Sequence, residues 1–365
     1  MQKKKILYVV EAFGGGLFTY IVDLVNELSN QYDFTIAYAI RSQTPENFKE
    51  YFDSNVKFIE IKNFTRGVNI IKDLKAVSEL DKVARSVKPD IIHLHSSKAG
   101  VIGRLAFWFS KSKLFYTPHG YSFLMQDMSK IKRMIYYIAE KTTGFSKCTT
   151  ISCSEGEHRE SQKLTKKVTY VNNGINIKEI NRQLQKLQSI NSSAANDDLS
   201  FVFTIGRICY QKNPTMFNQI ALKMPDKHFL WIGDGELRNE LTAPNIEVTS
   251  WLERTQVLKY ASKAGIFILP SRWEGLPMSL LEAMYMQKPC VVSDIIGNHD
   301  VIESNRNGIV CNSIDEYVTA ITKLSSDKEF NEHCCKCAYE DILKEYNTNV
   351  MAKKYADIYE NSVTS

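Results

Sequence analysis

Pro270-Ser271-Arg272-Trp273-Glu274-Gly275-Leu276-Pro277-Met278-Ser279-Leu280-Leu281-Glu282-Ala283-Met284 follows a short apolar run, Gly265 to Leu269. The run has the length and composition of a buried strand bounded by turn residues. Pro277 suits the first position of a helix, where its missing N–H removes nothing and its φ is already set. Glu274 then lies on a loop at the strand's carboxyl end, and Glu282 one to two turns into the helix. The free amides of Met278, Ser279 and Leu280, at the positive end of the helix dipole, would receive an anion such as phosphate. Two carboxylates beside that anion cannot hold it themselves, so they are expected to take hydroxyls. A phosphate flanked by polyols on both sides describes a nucleotide sugar.

Upstream of this stretch the same grammar recurs. Strand Leu199–Ile205 runs into Gly206-Arg207 and, five residues after Arg207, Lys212-Asn213-Pro214 at a helix start. Two cations at a glycine-containing turn suit a diphosphate, with a solvated loop as the lesser alternative. Strand Lys227–Ile232, turn Gly233-Asp234-Gly235, strand Ile246–Trp251 and helix Thr255–Ser262 lead into the opening stretch. Strand Pro289–Ser293, the Gly297-Asn298-His299-Asp300 segment and strand Gly308–Cys311 follow it, then helical residues 313–345. Thr348–Tyr359 reads as a last helix, long enough to cross back over the first half. Residues 180–199 lose periodicity and read as a linker or an exposed helix.

The first half is a second set of alternations. Residues 4–11 read as a buried parallel strand, then come Phe13-Gly14-Gly15-Gly16 and helix Leu17–Leu28. Strand, glycine turn and helix can bring backbone amides against a phosphate, with a tight turn that holds no ligand as the lesser alternative. As a dinucleotide fingerprint it fails twice. Thr19 replaces the third glycine, and the second strand, Phe34–Ile40, ends in Arg41 where a ribose-binding acid belongs. Strands Val56–Lys62, Asp90–His95, Lys113–Thr117, Cys148–Cys153 and Val168–Val171 alternate with helices Asn69–Val87 and Lys98–Ser110. Such alternation predicts a parallel, doubly wound sheet. His119, beside Gly120 at a strand's end, is expected to face the ligand crevice, with His95 lining it and His93 packed inside. Phe123–Lys147 interleaves Leu124, Met125, Met128, Ile131, Met134, Ile135 and Ile138 with Lys130, Lys132, Arg133, Lys141 and Lys147. This is a basic amphipathic helix, which suits a membrane surface or a lipid acceptor. A core helix with a solvated basic face has the same pattern.

The 365 residues favour two domains, and 44% hydrophobic with 24% charged residues is an ordinary globular composition. Residues 1–180 hold 27 Lys and Arg against 18 Asp and Glu, and the remainder 19 against 23. That asymmetry suggests the first half meets something anionic, which we take to be a membrane rather than nucleic acid. No apolar run reaches the length of a spanning helix, and Lys3-Lys4-Lys5 leads straight into a strand, so no signal peptide is expected. The eight cysteines lack paired metal spacing, and Cys334-Cys335-Lys336-Cys337 with His333 has no second ligand pair, so reduced thiols are expected.

Glu274-Gly275-Leu276-Pro277 followed by Glu282-Ala283 resembles the paired-glutamate motif of the family 4 retaining glycosyltransferases. Gly206-Arg207 with Lys212-Asn213, Gly14-Gly15-Gly16, Thr117-Pro118-His119-Gly120 and Asn173-Gly174-Ile175-Asn176 stand in that family's order, so the resemblance spans nearly the whole chain. It is nearest in character to bacterial enzymes of capsule, exopolysaccharide and O-antigen synthesis. The resemblance implies a GT-B fold, an α/β architecture of two Rossmann-like doubly wound domains facing a central cleft. Residues 1–180 would bind the acceptor, with helix 347–362 crossing back, and 181–346 the donor. It implies that Arg207 and Lys212 grip the donor diphosphate and that the amides of Met278, Ser279 and Leu280, with Gly15 or Gly16, complete the anion site. Glu282 would take the ribose, Glu274 the transferred sugar, and the backbone at Trp251-Leu252 the base, while His119 sits by the sugar ring. Gly275 and Leu276 belong to the same donor loop. Gly297-Asn298-His299-Asp300 departs from the family pattern, where many members carry a glutamate.

A retaining double displacement needs a second carboxylate about 5 Å from the first, and with Glu282 on the ribose none is evident. The expectation is same-face transfer of a sugar from a uridine diphosphate sugar to an undecaprenyl-diphosphate-linked saccharide. The departing diphosphate takes the acceptor's proton while Arg207 and Lys212 stabilise it, without a cofactor or metal. Such an enzyme is expected in the cytoplasm, peripheral on the inner face of the cell membrane. A sugar-nucleotide epimerase or a phosphorylase would share the fold. A nicotinamide dehydrogenase is disfavoured by Thr19 and Arg41.

Overall fold

The computed structural model describes residues 3–41, 43–65, 67–190 and 201–361, so residues 191–200 of the expected linker and strand start lie outside the described residues. The chain divides into two compact units, residues 1–173 with 348–365, and residues 174–347. The first boundary was expected at 180. It falls earlier because helix Ile177–Ile190 packs within the second unit, where Tyr285 Oη donates to Asn181 Oδ1 at 2.8 Å.

In the first unit, strands β1 (Lys4–Val10), β2 (Tyr32–Tyr38), β3 (Lys57–Glu60), β4 (Ile91–His95), β5 (Lys113–Thr117), β6 (Thr149–Ser152) and β7 (Val168–Tyr170) form a parallel sheet in the order β3-β2-β1-β4-β5-β6-β7. Both faces are covered, so β1 is apolar on both sides. Ile6, Tyr8 and Val10 pack against α1 (Gly15–Leu28) and the C-terminal helix, Thr348–Asn361, while Leu7 and Val9 face α2 (Ile70–Val87) and α3 (Ser97–Ala106). The C-terminal helix is pinned by polar contacts as well as burial. Tyr20 donates to Tyr355 at 2.6 Å, the hydroxyls of Tyr8 and Tyr359 lie 2.9 Å apart, and His93 Nδ1 is 2.7 Å from Tyr359 Oη.

Three elements differ from their expected form. Phe123–Lys147 is a short turn followed by α4 (Lys130–Thr143), whose start Ser129 caps by accepting from the Lys132 amide. Glu155–Gln162 forms a helix, α5, that its polar sequence hides from periodicity. Ser154 Oγ accepting from Glu157 N at 3.1 Å is its start signal. Residues 313–345 are two helices, because Asp327 breaks the run and caps the second through Phe330 N at 3.0 Å.

The second unit stacks β8 (Phe201–Ile205), β9 (His228–Ile232), β10 (Ile246–Val248), β11 (Ile266–Leu269), β12 (Cys290–Ser293) and β13 (Ile309–Cys311) in the order β10-β9-β8-β11-β12-β13. In each sheet the strand order reverses once, between β1 and β4 and between β8 and β11. Crevices outside the carboxyl ends of strands at such a reversal are where α/β sheets bind ligands. Gly14–Gly16 follow β1 and Ser96 follows β4, Gly206-Arg207 follow β8, and Pro270–Glu274 follow β11. Among the described residues no helix is long and apolar enough to cross a membrane, and no three His, Cys, Asp or Glu side chains come together as a metal site.

Candidate functional site

Beyond β11 the backbone turns through Pro270–Pro277 into helix α6 (Met278–Tyr285) of the second unit. Pro277, expected at the first helical position, is the residue before it, extended at ψ 121°. The Leu280 amide, expected to be free, donates to Pro277 O at 3.2 Å. Met278 and Ser279 are the first two helical residues, whose amides have no acceptor within the helix. Leu276 is buried and Gly275 half-buried.

Glu274 is buried at the centre of this loop and is met by three donors. Lys212 Nζ lies 2.7 Å and Ser271 Oγ 2.7 Å from Oε1, and Gln211 Nε2 lies 3.2 Å from Oε2. Gln211 also donates to Trp273 O at 2.9 Å and accepts from the Arg272 amide at 2.8 Å, which ties the β8 loop to the β11 loop. Asn213 Nδ2 adds a bond to Pro270 O at 3.1 Å. The Arg272 guanidinium stacks 4.3 Å from the Tyr210 ring centre. The Gly297 backbone closes the far side at φ +85°, where an added Cβ would stand 2.2 Å from Gly275 O. The loop that departs from the family pattern therefore supports the Glu274-Gly275 backbone directly.

The two expected diphosphate cations are not equivalent. Lys212 is on Glu274, whereas Arg207 Nε pairs with Glu236 at 2.8 Å on a more open surface. Glu282 is buried and held by Arg254 Nη2 at 2.7 Å. Trp251 is exposed and Leu252 half-buried in the loop after β10. The sequence pointed to Glu274, Glu282 and Arg207 but not to their partners, Gln211 on Glu274, Arg254 on Glu282 and Glu236 on Arg207. Glu282 and Arg254 are 28 positions apart, and only the topology of the sheet brings them together.

In the first unit, Gly15 and Gly16 are exposed in the opening turn of α1, with Gly15 at φ +57°. Arg41 does not reach for a ligand's ribose or phosphate but pairs with buried Glu11 at the end of β1. His119 follows β5 at φ +55° and lies edge-on to Tyr20 of α1, ring centres 4.6 Å apart. Its Nε2 is 3.1 Å from His95 Nδ1. His95 was expected to line the crevice. It is fully buried behind His119, because β4 is an interior strand covered on both faces. His93 is buried as expected, with Nε2 2.9 Å from Thr117 Oγ1. Burial pushes the His119 imidazole down to about 3 and holds His95 and His93 well below their ordinary value, so all three are neutral at physiological pH. Glu157 of α5, which the sequence reading passed over, accepts from the Gly120 amide at 2.6 Å and the Cys153 amide at 2.8 Å. It fixes the backbone next to His119.

Comparison with known proteins places this geometry. Residues 14–179 match the family described as Glycosyltransferase Family 4, and residues 200–327 that described as Glycosyl transferases group 1. The chain is 30% identical to the UDP-Gal:alpha-D-GlcNAc-diphosphoundecaprenol alpha-1,3-galactosyltransferase of Escherichia coli, over 87% of each chain. It is 22% identical to the N,N'-diacetylbacillosaminyl-diphospho-undecaprenol alpha-1,3-N-acetylgalactosaminyltransferase of Campylobacter jejuni, over 96% of this chain and 97% of that one. Among solved structures, sucrose-phosphate synthase from Thermosynechococcus elongatus superposes with a TM-score of 0.81 at 15% identity, over 99% of both chains, which shows the shared GT-B fold.

Proposed function

The chain belongs to the glycosyltransferases whose two halves are described as family 4 and group 1, and from that premise we propose a specific reaction for it. It moves a sugar from a uridine diphosphate sugar to a saccharide carried on undecaprenyl diphosphate, in the synthesis of a bacterial surface polysaccharide. The configuration at the anomeric carbon is retained and no metal is needed. Both bacterial relatives are named for alpha-bond formation on a diphospho-undecaprenol saccharide, and one for a UDP-Gal donor, which supports the choice of substrates.

The observation that carries the reading is the contact of Lys212 and Ser271 with Glu274 at the sheet's reversal point. A donor arriving there offers a diphosphate to Lys212 and sugar hydroxyls to Glu274, each replacing the partner it displaces. Arg207, more open and paired through its Nε with Glu236, supplies the second cation. Glu282, pre-oriented by Arg254, takes the ribose hydroxyls, and the backbone at Leu252 reads the base. Gly275, Leu276, Met278, Ser279, Gly15 and Gly16 contribute backbone rather than side chains, whereas the Leu280 amide is already taken by Pro277 O. His119, neutral, hydrogen-bonds a hydroxyl of the sugar and does not act as a cationic acid.

In the step itself, the bond between the anomeric carbon and the diphosphate oxygen breaks with its electron pair going to that oxygen. The acceptor oxygen bonds to the same face of the carbon, and its proton passes to the departing diphosphate. Lys212 and Arg207 stabilise the charge that develops there. An acceptor anchored in a bilayer requires work at that bilayer's surface, on the side that holds nucleotide sugars. We therefore place the enzyme peripherally on the cytoplasmic face.

The test is release of uridine diphosphate from a panel of uridine diphosphate sugars, with and without an undecaprenyl-diphosphate saccharide and with EDTA. Release that requires the acceptor and survives EDTA is expected. Release or interconversion without acceptor would instead indicate an epimerase or a hydrolytic enzyme, and loss with EDTA would overturn metal independence.

A further inference from the structure

An imidazole has two orientations that packing alone does not tell apart, and His119 is a ring on which the choice matters. Turning it by 180° about χ2 puts Cδ2 where Nδ1 stood and Cε1 where Nε2 stood, with nearly the same outline. One orientation offers nitrogens and the other carbons, so a ring that is to hydrogen-bond a ligand needs a polar contact to select between them. Tyr20 lies edge-on to the ring at 4.6 Å between centres, and Glu157 holds the neighbouring Gly120 amide at 2.6 Å. These contacts fix the place of the ring and its backbone, but they fit either orientation.

The selection is made by His95. Its Nδ1 lies 3.1 Å from His119 Nε2, with the two rings 26° from parallel and their centres 5.4 Å apart. This is the one hydrogen bond that the His119 ring makes to any described residue, and its Nδ1 is not among the enclosed polar atoms that lack a partner. Nδ1 is therefore the nitrogen that the half-buried ring turns outward. His95 itself is fully buried, packed on His93 at 4.1 Å and on Tyr8 at 4.6 Å between ring centres. His93 is held at both nitrogens, by Tyr359 Oη at 2.7 Å and Thr117 Oγ1 at 2.9 Å, so the floor beneath His95 is rigid. The other nitrogen of His95, Nε2, is buried without a hydrogen-bond partner. An unpaired buried polar atom costs about 1–3 kcal/mol, which an apolar ring in this place would not incur. What a histidine supplies here is the bond from Nδ1 to His119.

We propose that His95 is a positioning residue of the reaction: it holds Nε2 of His119 and so presents Nδ1 to a hydroxyl of the transferred sugar. His95 touches no substrate itself. Both rings are neutral, so each carries one N–H and one lone pair. Nδ1 of His119 then takes the role opposite to that of Nε2 in the shared bond, and a sugar hydroxyl, which donates and accepts, meets either. The inference rests on the reading that places His119 beside the sugar, and it adds which atom acts and what aims it.

Two substitutions of His119 separate its nitrogens, because an asparagine amide reaches the position of Nδ1 and a glutamine amide that of Nε2. For the uridine diphosphate sugar, kcat/KM is expected to stay within about threefold of wild type in His119→Asn and to fall about tenfold in His119→Gln, the worth of one hydrogen bond. His95→Phe keeps a ring in the stack and removes the bond. It is expected to lose about five- to tenfold in the wild-type background and nothing further in a His119→Ala background, whereas a merely structural role would cost the same in both. His95→Asn, whose amide reaches the place of the His95 Nδ1, should recover most of the loss. Thermal melts check that each variant is folded at the assay temperature, and if His95→Phe is not, the comparison of asparagine with glutamine at His119 decides alone. Equal losses in His119→Asn and His119→Gln, or additive losses for His95→Phe and His119→Ala, would overturn the inference and leave the proposed reaction standing. A wild type that releases no uridine diphosphate from any donor would overturn the reaction, and the inference with it.

Discussion

The two sheet edges are built from the same topology and have opposite chemistry. In the second unit the loops after β8 and β11 gather Lys212, Arg207 and Glu274, with Glu282 and Arg254 nearby in sequence to the same elements, and every carboxylate is matched by a cation. In the first unit the charged groups at the strand ends, Glu11 paired with Arg41 and Glu157 on the Gly120 amide, are tied within the fold, and the side chains around His119 are uncharged. His119, His95 and Tyr20 meet there through ring contacts and a single imidazole–imidazole bond, and burial keeps the histidines neutral. A diphosphate leaving group needs charge that can be redirected toward it, and ion pairs that exchange partners supply that. A neutral polyol needs fixed dipoles, and a neutral imidazole held by its neighbours supplies those. The division of labour is electrostatic before it is anything else.

The largest effect expected is on the charged side. Lys212→Ala removes the cation on both Glu274 and the developing diphosphate charge, and loss of one such donor costs about 10²–10³ in kcat. Arg207→Ala should do the same if the two act together. Single-turnover rates on a defined acceptor measure this. Full activity in either variant would refute the assignment of that residue to the leaving group. Glu274→Gln separates binding from chemistry. It keeps the Ser271 contact and releases Lys212, so donor KM should rise more than kcat falls.

Next in size is Gly297→Ala, which attacks the support rather than the charges. A Cβ would stand 2.2 Å from Gly275 O, and the residue is left-handed at φ +85°. Strain and overpacking together are expected to cost about 2–4 kcal/mol in urea unfolding. Because the displaced backbone carries Glu274, donor KM should rise too. Loss of stability with an unchanged KM would show that this loop is scaffold only.

The neutral side is tested through pH. His119 is held at about 3 when folded against an ordinary value near 6.5, so folding excludes a proton that the unfolded chain takes up. That stabilisation is complete above about pH 6.5 and is lost as pH falls from there toward 3. His93 and His95 shift in the same direction. Melting temperature is therefore expected to drop between pH 7.5 and 5, and His119→Gln should flatten the drop. The partly exposed edge of His119 keeps its own share to about 1 kcal/mol over that interval. An identical pH profile for the variant would mean the imidazole is not held neutral by the fold.

Much of this was legible in the sequence, and the parts that were not share a cause. Buried strand runs such as Ile6–Val10 and Ile266–Leu269 announce themselves, as does the loop that carries Glu274. Which partner meets a carboxylate does not, since Lys212 and Glu274 are 62 positions apart and meet only because β8 and β11 are neighbours. The periodicity of α4 revealed a stripe but not its direction: Ile131, Met134, Ile135 and Ile138 face outward, while Glu140 pairs inward with Arg104 of another helix. His95 was placed on the crevice from its position at a strand end, yet an interior strand hides its last side chain when that side chain points into a covered face. In α5 the cap at Ser154 was readable, but without an apolar face the short polar helix gave no period to support it.

The smallest effect expected is the most discriminating one on the neutral side. Gly15 sits at φ +57° with nothing within 4 Å of an added Cβ, so Gly15→Ala meets strain without a clash. The left-handed strain, about 1–2 kcal/mol, is partly offset by the lower entropy of an alanine in the unfolded chain, leaving about 1 kcal/mol. The amide that would face a phosphate is retained, so stability and hydrogen bonding barely change. What changes is that a methyl group occupies the open space in front of that amide. If a phosphate of the donor comes up against Gly15, donor KM should rise several-fold more than a destabilisation of that size explains, with kcat little altered. If KM stays at the wild-type value while the melting temperature falls slightly, the glycines serve the turn into α1, and recognition of the diphosphate belongs to the charged edge alone.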